Sequence, residues 1–312
     1  MRRKKVVNNL SVKQSILNII TTGIDRNKNH IFMINLLTGG KNGELIQYKV
    51  PEDKTLFLED IKDKKIIFFN GHSFDIPFIK KAIEYEGEIK EELDIYSFLK
   101  NYKFKRLPDY KYKTAFEEIT KDKLDELSGR EIVKLIKDYE TQKVESSNKT
   151  TDNTKESEDL LNKIYEQGEK HSLNLLKLYD ALKIRIEAKS IPLSIFGRKL
   201  ILFPYSFSED KDYFNIKLLN YGDKLPMNYQ LKTFEFYSKE EQYFLKFRKT
   251  EGLLEEKTTG ICVITEFNYV DQEYRRLKKG LIPIYVEDYL VHNIRKVVEL
   301  SLEEIGGGEW KK

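Results

Sequence analysis

Three short segments hold the residues whose types and spacing could do chemistry. Phe69-Asn70-Gly71-His72-Ser73-Phe74-Asp75-Ile76-Pro77-Phe78 sets a carboxylate, Asp75, at the start of an apolar helical stretch. Leu17-Asn18-Ile19-Ile20-Thr21-Thr22-Gly23 closes a β-branched run, and Lys170-His171-Ser172-Leu173-Asn174 sits in a leucine-rich helical pattern. Oxygen-bearing side chains of this kind serve hard divalent cations, which want several anionic ligands at once. Residue by residue, simpler readings come first. Asp75 reads as a helix N-terminal carboxylate favoured by the macrodipole. Asn70-Gly71 and Thr21-Thr22-Gly23 read as turns, and His72 and His171 as surface histidines. Phe74, Phe78 and the aromatics Phe203, Tyr205, Phe207, Phe234, Phe236 and Tyr237 read as core rather than as base-stacking platforms.

The elements that must position these residues follow from periodicity. Ser15 to Thr22, His30 to Leu37 and Glu44 to Val50 read as strands, the last two joined through Gly39, Gly40 and Gly43. Thr55 to Ile61 has helical spacing, Lys65 to Phe69 is a buried-strand run, Phe74 to Tyr85 a helix, and Leu93 to Ile95 a very short strand. Helical pattern then runs to Ala188, with Ser128 as N-cap for Glu131 to Tyr139. The polar stretch 142–158 predicts a mobile loop before a long amphipathic helix from Asp159 to Ala188. Beyond Ser190 the runs Leu200 to Phe207, Tyr213 to Leu219, Thr233 to Tyr237, Gln242 to Phe247 and Gly260 to Thr265 are β-type at hairpin spacing, and a helix from Val286 to Glu304 closes the pattern. The expected organisation is a mixed α/β sheet flanked by helices over 1–188, then a smaller, β-rich α+β domain over 189–312. Gly306 to Lys312 is expected to be a flexible tail.

Composition bounds the class. The 312 residues are 40% hydrophobic and 34% charged, enough for real cores beneath a heavily solvated surface. The net charge of +4 suits a polyanionic partner without requiring one. The basic runs Arg2 to Lys5, Lys103 to Arg106 and Arg275 to Lys279 read first as solvated faces or tails. Cys262 is the single cysteine, so an internal disulfide is excluded, and its apolar neighbours predict burial. No stretch has the length of a membrane span or a signal-peptide core, which makes the cytoplasm the default compartment.

The three segments fall in the order in which DEDD exonucleases carry their motifs. Asn70 to Phe78 is very similar to the N-G-x-x-F-D-x-P string of YprB-type ribonuclease-H-like proteins. Leu17 to Gly23 resembles the strand-borne D-x-E-T-T-G motif, and Lys170 to Asn174 resembles H-N-x-x-D. Leu93-Asp94-Ile95-Tyr96 and Leu127-Ser128-Gly129-Arg130-Glu131 resemble two intervening segments, so the likeness spans about residues 12 to 185. The β-rich part after residue 190 resembles the extra C-terminal region of some members.

The resemblance implies a ribonuclease-H-like fold and two-metal phosphodiester hydrolysis, with Mg²⁺ or Mn²⁺ held by four carboxylates and a water oriented by a nearby His or Tyr. Carried over position by position, the first Asp is Asn18, the Glu is Ile20, the second Asp is kept as Asp75, the last Asp is Asn174, and the catalytic His is Lys170. One carboxylate of four cannot hold two divalent ions, so Asp75 is at most a single ligand. Asp25 reads as a turn residue, Asp180 lies out of phase with Asn174, and His292-Asn293 has Lys296 where an acid would be required. The resemblance also places Thr21, Thr22, Asn70, Ser73 and Phe74 beside bound nucleic acid.

The leading expectation is a catalytically degenerate ribonuclease-H-like protein that binds DNA or RNA and needs no cofactor. Two alternatives stay open: an active 3′–5′ exonuclease using Mg²⁺ or Mn²⁺ through an atypical ligand set, and a protein-interaction module without nucleic-acid contact.

Overall fold

A computed structural model describes residues 1–102, 107–146, 152–239, 242–255, 258–269, 271, 273–274 and 276–306. The chain forms two compact units, Met1–Ser97 with Leu107–Leu182, and Phe98–Arg106 with Lys183–Lys312.

The first unit is built on a six-stranded sheet. Its elements are β1 (Arg2–Lys5), β2 (Gln14–Thr21), β3 (Ile31–Thr38), β4 (Glu44–Tyr48), α1 (Lys54–Ile61), β5 (Lys65–Phe68), α2 (Asp75–Ala82), β6 (Glu91–Asp94), the start of α3 (Ile95–Tyr102), α4 (Tyr112–Thr120), α5 (Gly129–Ser146) and α6 (Asp152–Ala188); α3 from Phe98 and α6 from Lys183 are assigned to the second unit. The strand order is β1-β4-β3-β2-β5-β6. On one side of β2 the pairing with β3 and on to β4 is antiparallel; on the other, β5 and β6 run parallel to it. Alternation along β2 serves both faces. Leu17 joins a core with Ile34, Tyr48, Phe57, Phe68 and Phe78, beneath α1 and α2. Ile20 joins Met33, Ile136, Tyr139, Ile164 and Tyr165, beneath α5 and α6. Burial on both faces is what makes the sequence of a central strand nearly continuously apolar.

Several sequence expectations need correction. Arg2 to Lys5 has the exposed side chains of a solvated face, as expected; what the pattern did not show is that its backbone pairs with β4 as an edge strand, where Lys and Arg discourage further pairing. The loop expected over 142–158 is helical at both ends, through Ser146 and again from Asp152, because Glu, Lys and Gln form helix readily without an apolar stripe; residues 147–151 lie outside the described residues. The basic run 103–106, Arg275 and the expected tail from 307 onwards also lie outside them. Ser128 caps α5 as expected, in a reciprocal box. Its backbone N–H donates to Glu131 Oε2 at 2.7 Å, and its Oγ accepts from Glu131 N at 3.4 Å.

The second unit is an antiparallel sheet. Its elements are β7 (Ile191–Ile195), β8 (Arg198–Glu209), β9 (Tyr213–Asn220), β10 (Asn228–Gln230), β11 (Phe234–Lys239), β12 (Gln242–Glu255), β13 (Thr258–Ile264), β14 (Leu281–Val286), β15 (Asp288–Tyr289) and α7 (Val291–Ile305). The order is β15-β14-β13-β12-β9-β8-β7, with β10 and β11 branching from β12. Val286, expected to start the last helix, instead ends β14 in a β-branched run, and α7 begins at Val291. Phe203, Tyr205, Phe207, Phe234 and Phe236 are buried, as is Cys262.

Candidate functional site

Asn18 points from β2 toward α6 and is buried there in a ladder of side-chain amides. Its Nδ2 donates to Ser172 Oγ at 2.8 Å, and its Oδ1 accepts from Asn35 Nδ2 at 2.9 Å. Asn35 in turn accepts from Gln47 Nε2 at 2.9 Å, and Gln47 also donates to the Tyr165 carbonyl at 2.9 Å. Ser172 Oγ donates to the Gly168 carbonyl at 2.9 Å. The helix comes this close because position 168 is glycine: a Cβ there would lie 2.5 Å from Asn35 Oδ1. Three neighbouring strands and one helix thus share a closed set of neutral hydrogen bonds, as buried polar groups require.

Asp75 is the first residue of α2. The turn before it is fastened by Asp94, whose carboxylate accepts from the backbone N–H groups of Asn70 (2.9 Å), His72 (3.2 Å), Tyr96 (3.1 Å) and Ser97 (3.4 Å). Asn70 adopts a left-handed backbone, φ 63°, which asparagine tolerates better than most residues. Asp75 itself is 6% exposed, and among the described residues its carboxyl has no hydrogen-bond or ion-pair partner. Burial first, and then the nearby charge of Asp94, hold that carboxyl well above the ordinary carboxylate range. The Asp94 carboxyl is also raised, chiefly by burial, against the lowering effect of its N–H donors.

A cavity of about 600 Å³ opens beside Asp75, lined also by Asn18, Asn70 and Phe74. Opposite in sequence, Tyr112 and His171 contribute to its wall. Both are bonded to Glu126. His171 Nδ1 lies 2.7 Å from Glu126 Oε2, and the Tyr112 hydroxyl donates to Oε1 at 3.3 Å. Asn174 Nδ2 donates to the same Oε1 at 2.8 Å. Burial acts to raise the Glu126 carboxyl, yet the bonds from His171, Asn174 and Tyr112 outweigh it and hold the group below its ordinary value. Burial, and the charge of Glu126, push the Tyr112 hydroxyl far up.

The structure therefore brings Asn18, Asn70, Phe74 and Asp75 to one cavity. Asn174 lies one bond behind it, through Glu126. Ile20 and Thr21 line an adjoining cavity that shares Ile19 and Phe74 with the first, and Ile20 is packed in the apolar core. Thr21 Oγ1 donates to the Gly23 carbonyl at 2.8 Å, and Thr22 is bonded to the backbone of His30, so both serve the turn. Lys170 reaches Asp125 at 3.0 Å instead, and neither Lys170, Thr22 nor Ser73 lines the Asp75 cavity. Asp25 is a turn residue, accepting from Asn27 N at 2.9 Å. Asn293 donates to the Pro283 carbonyl at 2.9 Å, in the other unit. Among the described residues, no group of three or more His, Cys, Asp or Glu side chains is arranged to hold a metal ion.

Sequence reasoning missed Glu126 and mistook His171 for a surface residue. Glu126 is one acid in a charged stretch, and only the fold closes Tyr112, His171 and Asn174 around it. The ladder had a faint signal, since Asn18 and Asn35 are register partners on adjacent strands.

A mixed sheet with a central strand, antiparallel partners on one side, parallel partners on the other and helices on both faces is a ribonuclease-H-like frame. A family model described as the RNase_H superfamily matches residues 16–183, more than half of the chain. The chain belongs to the RNase_H superfamily. No curated protein matches it.

Proposed function

We propose that this chain is a ribonuclease-H-like protein of the YprB type that binds nucleic acid at the Asp75 cavity without efficient hydrolysis. The observation that carries this reading is the state of the four carboxylate positions. Asp75 keeps a carboxyl; Asn18 is bonded into the ladder, Ile20 lies in a hydrophobic cluster, and Asn174 is held by Glu126. Two divalent ions need several anionic oxygens facing one point, and this donor set does not fit them. The lysines and arginines of the surface, for a net charge of +4, suit a phosphate backbone. No helix among the described residues is long and apolar enough to cross a membrane.

One observation favours a second reading, an active nuclease with atypical ligands: Glu126 brings a buried, ionised carboxylate next to the Asn174 position. The test serves both. Purified full chain with millimolar Mg²⁺ or Mn²⁺ should leave end-labelled single-stranded DNA and RNA intact, yet bind them with an affinity that falls steeply as salt rises. Metal-dependent trimming that Asp75→Ala or Glu126→Gln abolishes would establish the nuclease instead. Absence of binding at low salt would leave the protein-interaction module.

A further inference from the structure

The cavity beside Asp75 has a chemistry unlike a cation site. Two carboxyls line it: Asp109, which accepts from Lys111 N at 3.0 Å, and that of the buried Asp75, which has no partner among the described residues. The Asn70 side-chain amide also lines the cavity without a partner among the described residues, while its backbone is fixed by Asp94. Two polar side chains without partners among the described residues thus line the same space, one in the turn and one at the start of α2.

Aromatic rings make up about half of the rest of the lining, beside the aliphatic Ile19, Pro108 and Leu175 and the ion pair of Asp109 with Lys111. Phe69 meets Tyr96 edge to face at 6.0 Å between centroids, and meets Tyr112 edge to face at 5.2 Å. Tyr112 packs on the His171 ring at 4.5 Å, and Phe74 stands next to Asp75 in the chain. These rings are held in place: Tyr112 and His171 by Glu126, Phe69 by its two ring contacts. At about 600 Å³ the space has the size of a small-molecule pocket.

Pre-set aromatic faces with a few unpaired hydrogen-bonding groups at one end describe a receptor for a flat ligand that is polar along its edge. We propose that the cavity takes a single unpaired nucleobase, stacked against the aromatic wall and read along its edge by Asp75 and Asn70. The proposal rests on the nucleic-acid reading and deepens it: the place where the family holds phosphate-bound cations would hold a base. A free phosphate is disfavoured by the two carboxyls, since Lys111 is already paired with Asp109, and a bare divalent cation because, among the described residues, no three His, Cys, Asp or Glu side chains converge to hold one. A base supplies both the π-faces and the ring and exocyclic nitrogens that Asp75 and Asn70 lack as partners.

The test is calorimetric titration of the full chain with adenosine, cytidine, guanosine and uridine, and with a single-stranded oligonucleotide beside its fully abasic counterpart. At least one nucleoside should bind, and the abasic strand should bind about tenfold or more weaker than the base-bearing one, the scale of one lost stacking contact. Asp75→Leu and, separately, Asn70→Ala should weaken nucleoside binding about tenfold, with thermal melts showing both variants folded. If both strands bind equally and no nucleoside binds, the base pocket is overturned while nucleic-acid binding stands. Nucleoside binding that neither substitution weakens also overturns it. If nucleosides bind but neither strand does, the pocket stands and the nucleic-acid reading falls. If nothing binds, both fall.

Discussion

Two buried polar positions on the rim of one cavity are treated in opposite ways. At Asn18 both ends of the amide are bonded, and the bonds continue through Asn35 to Gln47 and through Ser172 to the backbone of α6. At Asp75 the side chain is as deeply placed and bonded to nothing among the described residues. The first arrangement stabilises the fold. The second weakens it, and a residue retained at such a position points to a ligand that the fold alone does not satisfy. The difference teaches that two polar side chains lining one cavity can be placed for different ends, one bonded into the fold and one left open toward the cavity.

Substitutions can break or sharpen that contrast. The largest effect is expected at Ile20, whose neighbours are Met33, Ile136 and Ile164. Ile20→Glu would bury a charge with no partner and should cost about 3 kcal/mol or more in urea unfolding. A loss below about 1 kcal/mol would mean that this end of β2 opens to water.

Asn18→Asp comes next. The new carboxylate would lose the N–H donor to Ser172 and set an acceptor against an acceptor, unless Ser172 abandons the Gly168 carbonyl. A loss of about 1–3 kcal/mol is expected, and an unchanged melting curve would show that the ladder is not a closed unit.

Asp75 should respond with the opposite sign. Asp75→Leu is expected to raise stability by about 1–2 kcal/mol at neutral pH, since it removes a desolvated carboxyl that has no bonding partner among the described residues. Its pH dependence follows from the raised carboxyl. The folded chain keeps a proton that the unfolded chain has released, so the wild type should lose stability as pH rises from the ordinary carboxylate range up to the raised folded value. Asp75→Leu should flatten that part of the profile in a series of thermal melts. A stability gain with rising pH that Asp75→Leu removes would mean that the carboxylate has found a partner.

The smallest effect belongs to Lys170, half-exposed and paired with the highly exposed Asp125. Lys170→Ala should shift stability by no more than about 0.5 kcal/mol, as exposed ion pairs do. A larger loss would give Lys170 a structural role that its single bond does not explain.

The strands of the first unit were legible because β-branched runs at Ile16 to Thr21 and Ile31 to Leu37 have no competing helical period. The Asn70 to Phe78 segment was legible as a turn feeding a helix, and the resemblance it carries agrees with the family matched over 16–183. The cavity's second wall was not legible. Glu126 and Tyr112 gain their places from contacts with His171 and Asn174, about 45 to 60 residues away in sequence, a separation that no local pattern encodes. Polar segments concealed their backbone structure: Arg2 to Lys5 is a solvated face on a paired edge strand, and the ends of 142–158 are helix without an apolar stripe.

The amide ladder also works as a lock on position 18. Ser172, Asn35 and, through Asn35, Gln47 are each bonded to suit an amide there. Gly168 adds a further constraint, because a Cβ at that point would collide with Asn35. A change at any one of these positions leaves the others bonded for the old partner, so the effects of such changes on stability should not add.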